Sequence, residues 1–334
     1  MSEMLKTDYP YMYARISAKR AKLLEKEDYD RLVKMGPSEI ARNLEEGEYK
    51  EDIDELGSDH DGMELVELAL MRNISRMMGE LIEISPDSLE PLINSFLRRY
   101  DILSIKRLLR WKKGGERGNI EDLLVPVGYY SVEGLMDLSE KSVEEICSSI
   151  EFPGSEVDYQ KEIEDYSEVK KVERDLDRAY FKEMSMMAEG TESIWFSRFV
   201  RKEMEYENLK IALRLKKDGM KQEIREWLVS PEVSTCVEKV IESESLEAAV
   251  EAVEECEDIS FEKPGNLEEV EHRLEVERLR TALRSLHTEP LGVTSIFGFI
   301  VAKMIEVKNL RMLIRAKETE IQNLDTIRSN LVTA

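Results

Sequence analysis

This chain of 334 residues has little of what most enzymes and secreted proteins are built from: three cysteines, three histidines, 9 prolines and 16 glycines. No glycine is followed by lysine, so a GxxxxGK[ST] phosphate loop is excluded. Cys147, Cys236 and Cys256 lie far apart. They are too few for a disulfide-held domain, lack metal-ligand spacing, and read as small core residues. Among His60, His272 and His287, only His272 has a glutamate three residues before it, Glu269. A di-iron bundle needs a second such pair, so His272 reads as a surface residue. No serine or aspartate groups with a histidine as a nucleophilic triad requires. Gly114-Gly115-Glu116-Arg117-Gly118 follows a helical pattern, not a strand. It reads as a helix stop, as does Asp218-Gly219, and not as a dinucleotide loop. The residues offer no catalytic, cofactor or metal motif.

Long apolar runs are also missing. The longest lightly charged stretch, Pro290 to Ala302, is interrupted by glycine, threonine and serine and ends at Lys303. A membrane-spanning helix needs about 20 apolar residues, so none is expected. Met1 to Asp8 has no apolar core of the kind a signal peptide carries. Basic residues are outnumbered: 71 Asp and Glu against 48 Lys and Arg give a net charge of −23. Such a surface repels phosphate, which argues against nucleic-acid partners. Apolar residues still make up 42% of the chain, enough for a sizeable core and too many for a disordered protein.

What is present is helical periodicity. Apolar residues recur at three- and four-residue intervals over Tyr11–Leu24, Leu65–Ile84, Leu89–Trp111, Val169–Met187, Ser193–Lys217 and Leu267–Leu286. Gly36-Pro37-Ser38-Glu39 and Ser85-Pro86-Asp87-Ser88 look like turns feeding helix starts. Pro153-Gly154, Ser230-Pro231 and Lys263-Pro264-Gly265 mark further turns. Strand-like alternation is nearly absent, with Val125 to Tyr130 the one ambiguous segment. The expected class is all-α.

An internal repeat carries the main signal. Asp101-Ile-Leu-Ser104-Ile105-Lys106, Glu205-Tyr-Glu-Asn208-Leu209-Lys210 and Glu306-Val-Lys-Asn309-Leu310-Arg311 align without gaps. Each continues to Leu or Ile, then Arg, any residue and Lys: Leu109-Arg110 to Lys112, Leu213-Arg214 to Lys216, Ile314-Arg315 to Lys317. A base stands three residues before each acid, at Arg98, Lys202 and Lys303. A large apolar residue stands nine before it, at Leu92, Phe196 and Phe297. The copies are 104 and 101 residues apart, which predicts three homologous helical units spanning 1–117, 118–222 and 223–334.

At 100° per residue, Asp101, Ile105 and Leu109 share one side of their helix with Arg98, whereas Lys106 and Arg110 lie opposite. The acid and base therefore suggest a partly buried ion pair. In one reading such pairs only fix how each unit packs. In the other, Lys106 with Arg110, Lys210 with Arg214 and Arg311 with Arg315 line a surface for a partner.

With these residues in view, the chain resembles the C subunit of the archaeal A-type ATP synthase, the counterpart of the d subunit of vacuolar-type ATPases. The resemblance is carried by Glu289-Pro-Leu-Gly through Phe297-Gly-Phe-Ile-Val-Ala-Lys303 to Lys317, by Tyr9-Pro-Tyr-Met-Tyr-Ala-Arg15, and by Tyr100-Asp101 with Lys106 and Arg110. Ser104, where the other copies have Asn, and Thr319-Glu320, where a Gly stop is expected, depart from the repeat. The resemblance implies a pseudo-threefold funnel of helical units and a non-catalytic central-stalk role. It implies a peripheral position on the cytoplasmic face of the membrane, on the proteolipid rotor ring. There the protein would receive the shaft subunits D and F, near the membrane stator, and couple ion translocation to ATP synthesis or hydrolysis. It implies no cofactor, no nucleic acid and no small-molecule substrate. The alternative is an unrelated all-helical scaffold or adaptor, for which a period near 100 residues is unusually long.

Overall fold

The computed structural model describes residues 9–121, 124–191, 193–261, 265–285, 292–318 and 324–333. Among them there is no strand, and the chain is all-α. A rhythm of short helices followed by a long pair occurs three times. First come α1 (Pro10–Arg20), α2 (Lys26–Leu32), α3 (Pro37–Glu45) and α4 (Lys50–Leu56), then the pair α5 (Gly62–Glu83) and α6 (Glu90–Lys113). Next are α7 (Val132–Ser139), α8 (Val143–Ser148) and α9 (Tyr159–Glu162), then α10 (Val169–Gly190) and α11 (Ile194–Lys217). Last are α12 (Ile224–Trp227), α13 (Thr235–Glu242) and α14 (Leu246–Glu257), then α15 (Leu267–Ser285) and α16 (Val293–Glu318). The helix α17 (Leu324–Asn330) follows. The signature lies on the second long helix of each pair: α6, α11 and α16.

The helix boundaries follow from local chemistry. Pro10 and Pro37 open α1 and α3, where a missing N–H costs nothing. The hydroxyls of Ser131, Ser142, Ser193, Ser234 and Ser245 each accept from a backbone N–H in the first turn of α7, α8, α11, α13 and α14. At α8 the Glu145 carboxylate returns the bond to Ser142 N, completing a capping box. Gly115 and Gly219 take φ of +79° and +77° just after α6 and α11, as the expected stops require. The ambiguous segment from Val125 to Tyr130 is irregular, not a strand.

The chain divides into two compact units. One holds Asn94–Leu124 and Gly128–Arg278; the other holds Lys6–Ile93, Val125–Val127 and Leu279–Ala334, each as far as it is described. Within the first, α11 packs on the short helices that follow it. Tyr206, Leu209, Ala212 and Leu213 join Ile224, Leu228, Val237, Val240, Val250 and Val253 in one apolar cluster. Within the second, α16 packs on α1, α3 and α5, from the start of the chain. The stripe Phe297, Phe299, Ile300 and Val301 is buried there, as are the equivalent Leu92 and Phe196 in their own surroundings.

Some expectations need correction or lie outside view. His272 is half-buried, not fully exposed. Cys147 and Cys236 are buried and Cys256 is half-buried. His287, Leu286, Pro290, Lys263-Pro264, Thr319-Glu320, Met1 to Asp8 and Glu289-Pro-Leu lie outside the described residues.

Candidate functional site: the repeated signature

The base three residues before each signature acid is enclosed by an acid and an aromatic ring. Lys303 is fully buried, 2.8 Å from Glu306 and 2.9 Å from the hydroxyl of Tyr49, whose ring centroid is 4.2 Å from Nζ. The Tyr49 hydroxyl donates to Glu306 at 2.6 Å, and Leu24 N donates to the other oxygen of Glu306 at 2.6 Å. Burial, then the charge on Glu306, holds the Tyr49 phenol protonated well above the usual tyrosine range. Lys202 sits 2.8 Å from Glu205 and 2.7 Å from Glu257, with the Tyr206 hydroxyl on Glu257 as well. Its Nζ lies 5.0 Å from the Tyr206 ring. Base and acid thus pair at i,i+3 in the second and third copies, as the spacing suggests.

The first copy departs from this. Arg98 pairs with Glu183 of α10, and Tyr159 donates to the same carboxylate at 2.7 Å. Arg98 also donates to the carbonyl of Pro153 at 2.9 Å and faces the Phe152 ring. Asp101 is left to another task. Its two oxygens accept from Tyr129 N at 2.9 Å and Tyr130 N at 3.1 Å, pinning the irregular segment against α6. Asp101 is fully buried, and this burial pushes its carboxyl up to about 7 against the pull of those N–H groups and Arg98.

Three residues after the acid, the second and third copies again agree. Asn208 accepts from Val229 N at 2.9 Å and donates to Ser230 O at 3.4 Å. Asn309 accepts from Val332 N at 3.0 Å and donates to Val332 O at 2.8 Å. Each amide thereby satisfies backbone groups that no helix pairs. The first copy has Ser104 in this place, too short for that reach, and there Asp101 takes over the downstream backbone. The terminal lysines follow the same division. Lys216 donates to Ile241 O at 3.0 Å, near the end of α13, and Lys317 to Val33 O at 2.7 Å, at the end of α2.

The outward bases are all engaged. Lys106 meets Asp177 at 2.6 Å, and Arg110 holds Glu173 through two bonds of 2.6 Å. Lys210 meets Glu207 at 2.6 Å, and Arg214 holds Glu271 through two bonds of 2.6 Å. Arg315 meets Glu67 at 2.9 Å, and Arg311 approaches it at 3.9 Å. Glu173, Glu271 and Glu67 occupy matching places on α10, α15 and α5, the first long helix of each pair. The arrangement binds helices to one another and presents no nucleophile or proton relay.

Compared with known proteins, residues 12–329 match the family described as ATP synthase (C/AC39) subunit. The chain belongs to this family. It is similar to the C subunit of the A-type ATP synthase of Methanococcoides burtonii, 34% identical over 98% of this chain and 94% of that protein. The corresponding subunits of Methanosarcina acetivorans (30%, covering 95% of this chain and 91% of that protein) and Haloferax volcanii (28%, 96% and 97%) are also similar. The chain is therefore a subunit of a rotary ATP synthase, accessory to the parts that carry out catalysis. Among the described residues, no helix of this family member is long and apolar enough to cross a membrane.

A second charged group in this ATP synthase subunit escapes the repeat pattern. Arg99 on α6 lies 3.5 Å from Glu203 and 3.6 Å from Glu207 on α11, and Arg278 on α15 reaches Glu203 at 2.5 Å. Burial pushes Glu203 up, but Arg278 and Arg99 outweigh it and hold the carboxyl below its usual range. Arg99 and Glu203 occupy the same repeat position, two before the signature acid. Complementary charges at one register were the available signal. A search for identical residue types passes over it.

Proposed function

We propose that this chain is the central-stalk spacer of a rotary A-type synthase. It is seated on the proteolipid rotor ring at the cytoplasmic face of the membrane and receives the shaft subunits D and F. In this reading it transmits torque between ion translocation and ATP synthesis or hydrolysis. The observation that carries it is the threefold recurrence of a base set between an acid and an aromatic ring, within a near full-length family match. Such braces tie separate helices together without chemistry of their own, as a stiff coupling element requires. The division into three homologous units in pseudo-threefold order belongs to this reading. It is supported by the matching helix lengths, 22 and 24, 22 and 24, and 19 and 26 residues. Arg110, Arg214 and Arg315 keep 61%, 57% and 54% of their side chains in water beside their carboxylates, and are the proposed partner-facing bases. The test is co-purification with a tagged rotor ring and the D–F shaft. The chain is expected to elute with both; elution alone, or only with unrelated proteins, would overturn the proposal.

A further inference from the structure

The middle copy of the signature holds chemistry that the other two do not. Around Lys202, the carboxylates of Glu205 and Glu257 and the thiol of Cys236 each place a ligand atom within 4.8 Å of the others. They come from three helices, α11, α13 and α14, so their spacing in sequence gives no hint of the convergence. Cys256 sits one residue before Glu257 in the sequence. At the equivalent place in the first copy stand Glu183, Tyr159 and Ser95, and in the third Glu306 and Tyr49, with no sulfur among these contacts. An ion pair alone does not need the thiols.

We propose that Cys236, Glu205 and Glu257 form a three-residue binding site for a thiophilic divalent cation such as Zn2+, with water free to fill a fourth position. A sulfur with two carboxylate oxygens is a donor set that Zn2+ accepts, at about 2.3 Å from sulfur and about 2.0–2.2 Å from oxygen. Ligand atoms within 4.8 Å of one another can close on one such ion with small side-chain rotations.

The resident cation is the ammonium of Lys202, which neutralises both carboxylates. It differs from its counterparts in one respect. The side chains of Lys303 and Arg98 are 0% and 3% exposed and have no way out, whereas that of Lys202 is 36% exposed and can withdraw into water. A divalent ion can therefore take its place here and nowhere else among the three copies. Metal binding releases the Cys236 thiol proton as the sulfur–metal bond forms.

The test is titration of the full-length, reduced protein with Zn2+ against a chromophoric chelator. Co2+ replaces Zn2+ in a parallel sample to give a thiolate-to-metal absorption band. One equivalent is expected to bind. Loss of an outer-shell partner typically costs 10–100-fold in affinity, so Cys236→Ser, which removes a direct ligand, is expected to cost about 100-fold or more and to abolish the cobalt band. Lys202→Met, which removes the competing ammonium, is expected to tighten binding about tenfold. The circular-dichroism melt of each variant verifies that it folds. No stoichiometric binding by either the native chain or Lys202→Met, or binding that survives Cys236→Ser unchanged, overturns the site.

Discussion

A Cβ on residue 128 would lie 2.1 Å from Oδ2 of Asp101, so the buried carboxylate of α6 occupies space that only a glycine leaves open. Gly128 does not adopt positive φ, so the requirement is one of room and not of backbone freedom. The close approach lets both oxygens of Asp101 reach the successive N–H groups of Tyr129 and Tyr130. Gly128→Ala is expected to destabilise the chain by about 1–3 kcal/mol, as overpacking does. Because the clash is with one carboxylate, Gly128→Ala combined with Asp101→Ala should cost less than the two changes summed. Urea denaturation of the four chains measures this, and strict additivity would count against the contact.

The same aspartate sets a pH dependence. Its folded-state value of about 7 lies above the ordinary aspartate value of about 3.9 in the unfolded chain. Between these two values the native state keeps a proton that the unfolded state has lost. Stability attributable to Asp101 is therefore fullest below about pH 4, falls as pH rises through about 7, and is level above that. Asp101→Asn stays neutral throughout. Its stability relative to the native chain is expected to rise by roughly 2–4 kcal/mol from pH 4 to pH 7. A constant difference across that window would sink the assignment.

Arg98 and Glu183 are 3% and 1% exposed and neutralise each other inside the protein. Arg98→Met alone strands a buried carboxylate and is expected to cost about 3–5 kcal/mol. Arg98→Met with Glu183→Met replaces the pair by apolar groups of similar size and should recover much of that loss. Thermal melts of Arg98→Met, Glu183→Met and the double variant decide the matter. If the double variant is as unstable as the sum of its parts, the two residues do not act as a pair.

The amide anchors predict unequal consequences for the same substitution. Asn309→Ala and Asn208→Ala each leave buried backbone groups without a partner, at about 1–3 kcal/mol apiece. Amide hydrogen exchange should quicken at Val332 and Val229 respectively. Ser104→Ala should leave exchange at Tyr129 and Tyr130 unchanged, since Asp101 holds them. Faster exchange at Tyr129 on changing Ser104 would show that the first copy anchors its segment differently.

The net charge of −23 bears on assembly. If basic surfaces of the proposed ring and shaft partners seat on this acidic body, that association should weaken as salt screens the charges over about 10 Å at 0.1 M. Binding measured from 50 to 500 mM salt by light-scattering titration tests this. Affinity that does not change with salt would leave charge no part in docking.

Much of this was legible along the chain because helical period, capping and burial are local properties. Leu65 to Ile84 and Ser193 to Lys217 show their helices through apolar spacing alone, and Gly115 and Gly219 show where α6 and α11 stop. The repeat register placed Asp101, Glu306 and Lys303 on apolar sides, and all three are buried. The identity of each charged partner was not legible in the same way. Arg98 stands three residues before Asp101 yet pairs with Glu183, 85 positions away, while Lys303 at the same register keeps Glu306. The choice depends on which neighbouring helix brings a second acid within reach, and on whether the first acid is needed by an unpaired backbone. Likewise, Cys236, Glu205 and Glu257 meet only because α11, α13 and α14 pack together. The sequence by itself determined the helices, their buried faces and the threefold recurrence of the signature. Only the tertiary structure decided the pairings, because a short-range electrostatic contact is fixed by distances between helices that no single helix encodes.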